Sequence, residues 1–436
     1  MVMTKLLSWL ASFLLLSLHT FAQDTTQHRV EGRVNASDQL SKPYVILISA
    51  DGFRSDFADK YDAKYLKSKR SLGVSAPSMI PSYPTLTFPN HYTLVTGLYP
   101  AHHGLVNNRY YDPTSRQEYS MGNKKMVSEG KWYGGTPLWV LAEKQGMLAA
   151  SNFWVASEAD IQGVRPSYYY VYNEVTPIAQ RIQSVKDWLS LPETKRPHFI
   201  TFYLPEVDHD AHEFGPEDPR VKKSVQFVDQ AIHDLQAALD PLKLPINYVF
   251  VSDHGMVTVD NKNTMGLPAE IDTAAFRVSS GDALLQVHAK DPARITSTYE
   301  ALKKNTNFDT YLMSETPEHW HFRATDDRYN RLGAMLLVPK LPRVFNLSRY
   351  PTNQGKHGFD TRLPEMQASF QAWGPALKIG KRIPPFENVD IYPLVAQMLG
   401  LVYDPSSIDG RLDTWKKVLN LTFANPPRFG KGRGEK

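Results

Sequence analysis

An α/β fold with a mainly parallel central sheet, helices on both faces and one small α/β insertion follows from three features of the chain. Short apolar runs rich in β-branched and aromatic residues recur with room for a helix between them, the pattern of parallel strands buried on both faces. The segment between the two clearest runs keeps a helical stripe. Several runs end directly in Asp or His, and in open α/β sheets ligands bind beyond the carboxyl ends of the strands.

The elements follow in order. Lys5 precedes a thirteen-residue apolar run, Leu6 to Leu18, and Thr20-Phe21-Ala22 supplies small residues for cleavage, so residues 1–22 read as a signal peptide. Spanning a bilayer takes about 18 to 20 apolar residues, so no membrane span is expected after cleavage. The polar stretch 23–40 reads as a linker. Strands are expected at Tyr44–Ile48, Met147–Trp154, His198–Leu204 and Ile246–Val251. Val225, Val228, Ile232, Leu235 and Leu239 mark a helix, with Asp229, His233 and Asp234 off its apolar stripe. A second helix fits Val389–Leu399, ended by Gly400. Residues 258–345 hold strand-like runs at Ala283–Val287 and Ala334–Val338 around a helix-like Arg294–Lys304. They read as an insertion and as the segment least informative about function. Residues 421–436 read as a flexible basic tail.

Composition narrows the chemistry. Among 436 residues, 42% hydrophobic and 22% charged is ordinary globular usage, which excludes disordered and fibrous classes. A net charge of +4 is too weak and mixed to predict a stable nucleic-acid complex. With no cysteine, disulfides, thiolate metal sites and cysteine nucleophiles are excluded. An exported chain without disulfides suits a bacterial periplasm or secretion.

Four clusters carry candidate chemistry. Ile48-Ser49-Ala50 leads into Asp51, Leu204-Pro205-Glu206-Val207 into Asp208 with His209, Asp210 and His212 behind it, and Val251-Ser252 into Asp253-His254-Gly255. Gly355-Lys356-His357-Gly358 follows the insertion. Oxygen and imidazole donors without thiolate suit zinc in a hydrolytic site. Asp208 and His212 are four apart and could face one ion from a helical turn, leaving His209 exposed or behind the ligands. Thr87-Phe88-Pro89-Asn90-His91-Tyr92 reads as a helix start with Pro89 in the first turn. A hydroxyl there stands where helix N–H groups favour a phosphate; the plainer alternative is that Thr87 only caps the helix.

These residues carry a resemblance. Ser49-Ala50-Asp51-Gly52-Phe53-Arg54, Thr87 through Tyr92, Thr96-Gly97-Leu98-Tyr99-Pro100, His103-Gly104, Ser252-Asp253-His254-Gly255-Met256 and His357-Gly358-Phe359-Asp360 resemble the nucleotide pyrophosphatase/phosphodiesterase family of the alkaline phosphatase superfamily. Phe153-Trp154, Ser157-Glu158 and Phe386 to Leu394 match in the same order, over roughly residues 40 to 402. The resemblance implies an alkaline-phosphatase-like sandwich, with residues 41–420 as one catalytic phosphodiesterase domain, and two zinc ions per chain. Asp51, Thr87, Asp253 and His254 would hold one, and Asp208, His212 and His357 the other. Asn108 would donate to a non-bridging phosphate oxygen. The family usually has Gly before the His of its Asp-x-x-x-His element, whereas this chain has Ala211, which leaves His209 as the alternative to His212.

The implied reaction is two in-line displacements: Thr87 attacks phosphorus to give a phosphothreonine-type diester, and water activated at the Asp208/His212/His357 site hydrolyses it. Nucleotides lead as substrates, giving nucleoside 5′-monophosphates, with Phe88 and Tyr172 as candidates to sandwich a base. A phosphomonoesterase or a lysophospholipid/choline phosphodiesterase are the alternatives. A sulfatase is excluded because the position of its Cys/Ser nucleophile reads Thr87, and a binding protein without catalysis would have lost the nucleophile or a ligand. Oligomeric state is not written in the sequence.

Overall fold

The computed structural model describes residues 24–279 and 281–420, so the expected signal peptide and basic tail lie outside the described residues. In chain order the elements that matter are β1 (His28–Arg29), β2 (Tyr44–Ala50), β3 (Gly73–Ser75) and α1 (Thr87–Thr96). A hairpin of β4 (Arg109–Asp112) and β5 (Gln117–Ser120) follows, then β6 (Ala149–Asn152), β7 (Tyr168–Tyr170) and α2 (Ile178–Leu189). Next come β8 (Phe199–Leu204), α3 (Glu206–Phe214), α4 (Pro219–Leu239), β9 (Ile246–Val251) and the short β10 (Val257–Thr258). The insertion holds β11 (Phe276–Ser279), β12 (Leu285–Ala289), α5 (Ile295–Leu302), β13 (Phe308–Leu312) and β14 (Met335–Pro339). The chain closes with β15 (Gly355–Lys356), β16 (Phe370–Trp373), β17 (Lys381–Arg382) and α6 (Ile391–Leu399).

Nine strands form the central sheet in the order β1-β7-β6-β8-β2-β9-β16-β3-β17. The heart of it, from β7 to β9, is parallel; β1 and β16 run antiparallel to their neighbours. Alternation along β2 shows why two helical layers are needed. Val45 and Leu47 face one core, while Tyr44, Ile46, Ile48 and Ala50 face the other, all buried. The first core is closed by Tyr92, Leu94 and Val95 of α1 and Ile391, Leu394, Val395 and Met398 of α6. The second is closed by Val185 and Trp188 of α2 and by Val221, Val225, Val228, Ile232, Leu235 and Leu239 of α4.

The insertion folds as an antiparallel sheet, β11-β12-β14-β13, with α5 beside it and a core of its own around Leu285, Val287, Tyr299, Leu302, Phe308, Met335 and Leu337. Two of its strands, β11 and β13, mix polar and apolar residues and were not expected. Two further expectations are corrected. Of the expected 23–40 linker, the described residues 24–40 are not free: β1 pairs with β7, and the buried Asn35 side chain bonds the carbonyls of Glu193 and Arg196 (2.8 and 2.7 Å) and the Leu148 N–H (2.8 Å). Asp229, expected on the wet side of α4, is buried because its carboxylate accepts the N–H groups of Tyr65 and Leu66 at 3.0 and 2.8 Å.

Register positions the site. Ser49 of β2 is level with Val251 of β9, and Ala50 is level with Leu204 of β8, so three strands end on one line. α3 leaves that line and packs against β15 so tightly that a Cβ on Gly355 would stand 2.0 Å from the Ala211 carbonyl oxygen. Gly355→Ala is therefore expected to destabilise the fold by about 1–3 kcal/mol through overpacking, read as a lowered urea midpoint at unchanged m-value. An unchanged midpoint would show that α3 moves freely over β15.

Candidate active site

Where the three strands end, Asp51 (2% exposed) follows β2, Asp253 (fully buried) follows β9, and Asp208 lies in the first turn of α3. Gly52 lets the chain turn away from β2 with φ +64°, and a Cβ there would meet the Asp208 Cα at 3.0 Å, so the close approach of these two segments requires glycine. Thr87 opens α1 as its first helical residue, after Leu86 in extended conformation and with Pro89 in the first turn. Its hydroxyl makes no capping bond; it stands 3.2 Å from His254 Nε2. The plainer alternative, a helix cap, is thereby overturned.

Each imidazole at the site is fixed by a backbone carbonyl. His212 Nδ1 faces the Gly355 oxygen (2.8 Å), His357 Nδ1 the Thr85 oxygen (2.8 Å) and His254 Nδ1 the Gly255 oxygen (2.9 Å). A carbonyl oxygen only accepts, so Nδ1 carries the proton and each Nε2 lone pair points inward, the arrangement of metal-ligating histidines. The Nε2 atoms of His212 and His357 lie 3.0 Å apart, with Asp208 Oδ1 at 3.5 and 3.7 Å from them. His254 Nε2 is 3.5 Å from Asp51 Oδ1 and 2.9 Å from Asp253 Oδ2, and its ring stacks on that of His357 with centroids 3.6 Å apart.

Three oxygens, Asp51 Oδ1, Asp208 Oδ1 and Asp253 Oδ2, are buried without a hydrogen-bond partner. Orphaned carboxylate oxygens converging with imidazole lone pairs are what a divalent cation would satisfy. Two overlapping groups have ligand atoms within 4.8 Å of one another: Asp51 with Asp253 and His254, and Asp208 with His254 and His357. The donor set therefore fits metal ions in two adjacent places. Electrostatics agree. Burial, then the charges of Asp253 and Asp208, push the Asp51 carboxyl well above its ordinary range. Burial also opposes charge on Asp253, but His254 and His91 outweigh it and hold that carboxyl low. Burial and the neighbouring His254 and His212 push His357 well below the usual imidazole range.

The structure brings together Asp51, Thr87, Asp208, His212, Asp253, His254 and His357. His209 stays outside, half exposed and 3.7 Å from Glu174, so His212 is the histidine of α3 that faces the cluster. Asn108 accepts the Phe88 N–H at 3.0 Å through Oδ1, which leaves its NH2 as the free end beside the start of α1. Phe88 is half-buried, and Tyr172, 41% exposed, packs edge-on against Tyr203. Two residues escaped the sequence reading. Tyr203 donates from its hydroxyl to Asp51 Oδ2 at 2.5 Å; the signal was its place one residue from the end of β8, level with Ser49. His91, one turn after Thr87, places Nδ1 3.0 Å from the Thr87 carbonyl and 3.3 Å from Asp253 Oδ2, and Nε2 2.8 Å from Ser49 Oγ. A cavity of about 480 Å³ opens beside His212 and His357, with Leu86 and Asn108 on one wall and Asp282, Ala283 and Leu284 of the insertion on another.

Residues 45–360 match the sequence profile of the family described as type I phosphodiesterase / nucleotide pyrophosphatase. Similar curated proteins include ectonucleotide pyrophosphatase/phosphodiesterase family member 1 of Mus musculus, 36% identical over 89% of this chain and 44% of that protein. The venom phosphodiesterase of Naja atra is 33% identical over 88% of this chain and 47% of its own length. An uncharacterised pyrophosphatase/phosphodiesterase of Schizosaccharomyces pombe is 31% identical over 87% of this chain and 81% of its own. The chain thus spans under half the length of the mouse and cobra relatives. Among solved structures, an inactive Thr→Ala form of murine ectonucleotide pyrophosphatase/phosphodiesterase 5 in complex with AMP superposes with TM-score 0.80 at 26% identity, covering 87% of this chain and all of that one. With the profile covering most of the chain and the fold shared, the chain belongs to the type I phosphodiesterase/nucleotide pyrophosphatase family of the alkaline phosphatase superfamily.

Proposed function

We propose that this chain is an exported hydrolase that cleaves phosphodiester and pyrophosphate bonds of nucleotides and releases nucleoside 5′-monophosphates, with Thr87 as nucleophile and two zinc ions as cofactors. The observation that carries the reading is the Thr87 hydroxyl: unused as a cap, it stands at a helix N-terminus 3.2 Å from His254. Asp51, Asp253 and His254, with Thr87, would hold one cation, and Asp208, His212 and His357 the other. Bound there, the cations would lower the pKa of the threonine hydroxyl and of a water and neutralise charge on attacking and leaving oxygens. Nitrogen and oxygen donors in a cysteine-free chain suit zinc.

Thr87 Oγ1, its proton lost, forms a bond to phosphorus while the bond to the leaving oxygen breaks and its electron pair departs with that oxygen. A threonine-linked diester results, and water then displaces Thr87 from the opposite side, so two inversions give net retention. The Thr87 N–H and the free amide of Asn108 are placed to donate to the non-bridging oxygens. Phe88 and Tyr172 offer aromatic faces for a base. The AMP complex of the neighbouring structure and its inactivation by a Thr→Ala change support a nucleotide substrate and a threonine nucleophile. Among the described residues no helix is long and apolar enough to cross a membrane.

Purified, zinc-loaded protein is expected to hydrolyse the nitrophenyl ester of thymidine 5′-monophosphate far faster than nitrophenyl phosphate. Thr87→Ala is expected to cut kcat by about 10³-fold or more while retaining metal. Preference for the monoester would overturn the diesterase reading. Atomic absorption on reloaded protein should find His212→Asn short of one zinc per chain and His209→Asn fully loaded; the reverse result would exchange the two histidines.

A further inference from the structure

Lys356 precedes the cluster residue His357 on β15, and its side chain is only 11% exposed. A lysine seldom lies so deep without a partner, and its ammonium is held by the Asp282 carboxylate, from the loop that leads into β12 of the insertion. Both line the cavity into which His212 and His357 open. An ammonium has three N–H donors, and Asp282 occupies one of them. Asp282 is 38% exposed, so water screens the carboxylate more than the lysine it holds. Arg109, a second cation lining the cavity, is 54% exposed and 3.8 Å from Glu118.

The direction of reaction gives this pair a meaning. In an in-line displacement the leaving oxygen departs opposite Thr87 Oγ1. Thr87 stands at His254, so the leaving side is that of Asp208, His212 and His357, beyond which lies the cavity with Lys356. We propose that Lys356, steered by Asp282, is a specificity-determining residue that favours leaving groups carrying their own phosphate charge, so that pyrophosphate bonds are preferred over simple diesters. This rests on the nucleotide hydrolase reading above. In every substrate a P–O bond to the leaving oxygen breaks; the two remaining N–H donors of Lys356 meet the phosphate that departs with that oxygen.

The test compares two substrates with one transferred group and two leaving groups: thymidine 5′-triphosphate, which releases pyrophosphate, and the nitrophenyl ester of thymidine 5′-monophosphate. The readout is the ratio of their kcat/KM values, with zinc content measured on every sample. Lys356→Gln is expected to lower the ratio about tenfold, the scale of one lost charge-assisted hydrogen bond. Lys356→Arg should retain it. Asp282→Asn, which frees the ammonium, should raise it two- to threefold. Ratios within twofold of wild type in Lys356→Gln would overturn the proposal, as would a parallel loss on both substrates with lost zinc, which marks a merely structural role beside His357. Wild-type protein that cleaves neither substrate would overturn the underlying hydrolase reading, a different failure.

Discussion

Three carboxylates, those of Asp51, Asp208 and Asp253, converge where a folded chain would ordinarily place none, and much of the architecture answers to that crowding. No Lys or Arg pairs with any of them among the described residues; their neighbours are imidazoles and a tyrosine. Burying like charges side by side raises the pKa of one of them, as at Asp51, or demands positive charge between them. Two divalent cations would supply it, and the same charge would then act on the phosphate of a substrate.

The scaffold holds this unfavourable set by rigid means. Parallel pairing keeps β8, β2 and β9 level, so each strand delivers its acidic residue to one edge. Backbone carbonyls, not side chains, fix the three imidazoles, which leaves ring orientation insensitive to rotamer choice. Gly52 and Gly355 remove the Cβ atoms that would keep Asp208 and α3 away. Opposite them, α1 presents its N-terminus, with the positive end of the helix dipole and the Thr87 hydroxyl together.

The insertion changes the picture of how substrate is read. It has a separate core, yet Ala283 and Leu284 join the main one, and a Cβ on Gly358 would meet the Ala283 Cβ at 2.9 Å. A segment that looked uninformative thus forms one wall of the cavity beside His212 and His357. Its Asp282 is 74 residues from Lys356, a separation across which charge pattern alone predicts nothing.

Continuous apolar runs such as Ile246–Val251 and the regular stripe of α4 announce themselves, because a strand buried on both faces or a half-buried helix constrains every residue along it. β3, β16 and β17 are two to four residues long and exist only by pairing with what the chain has already built, so nothing local predicts them. The seven clustered residues were legible as separate acidic and histidine clusters and a helix-opening threonine, and as one set through the family resemblance. The choice of His212 over His209 was decided by the face α3 turns toward β15. Tyr203, His91 and the Lys356–Asp282 pair became visible only in three dimensions. The sequence by itself determined which chemical groups are present and on which elements; the tertiary structure decided which of them meet, because meeting depends on strand register and helix packing between segments far apart in the chain.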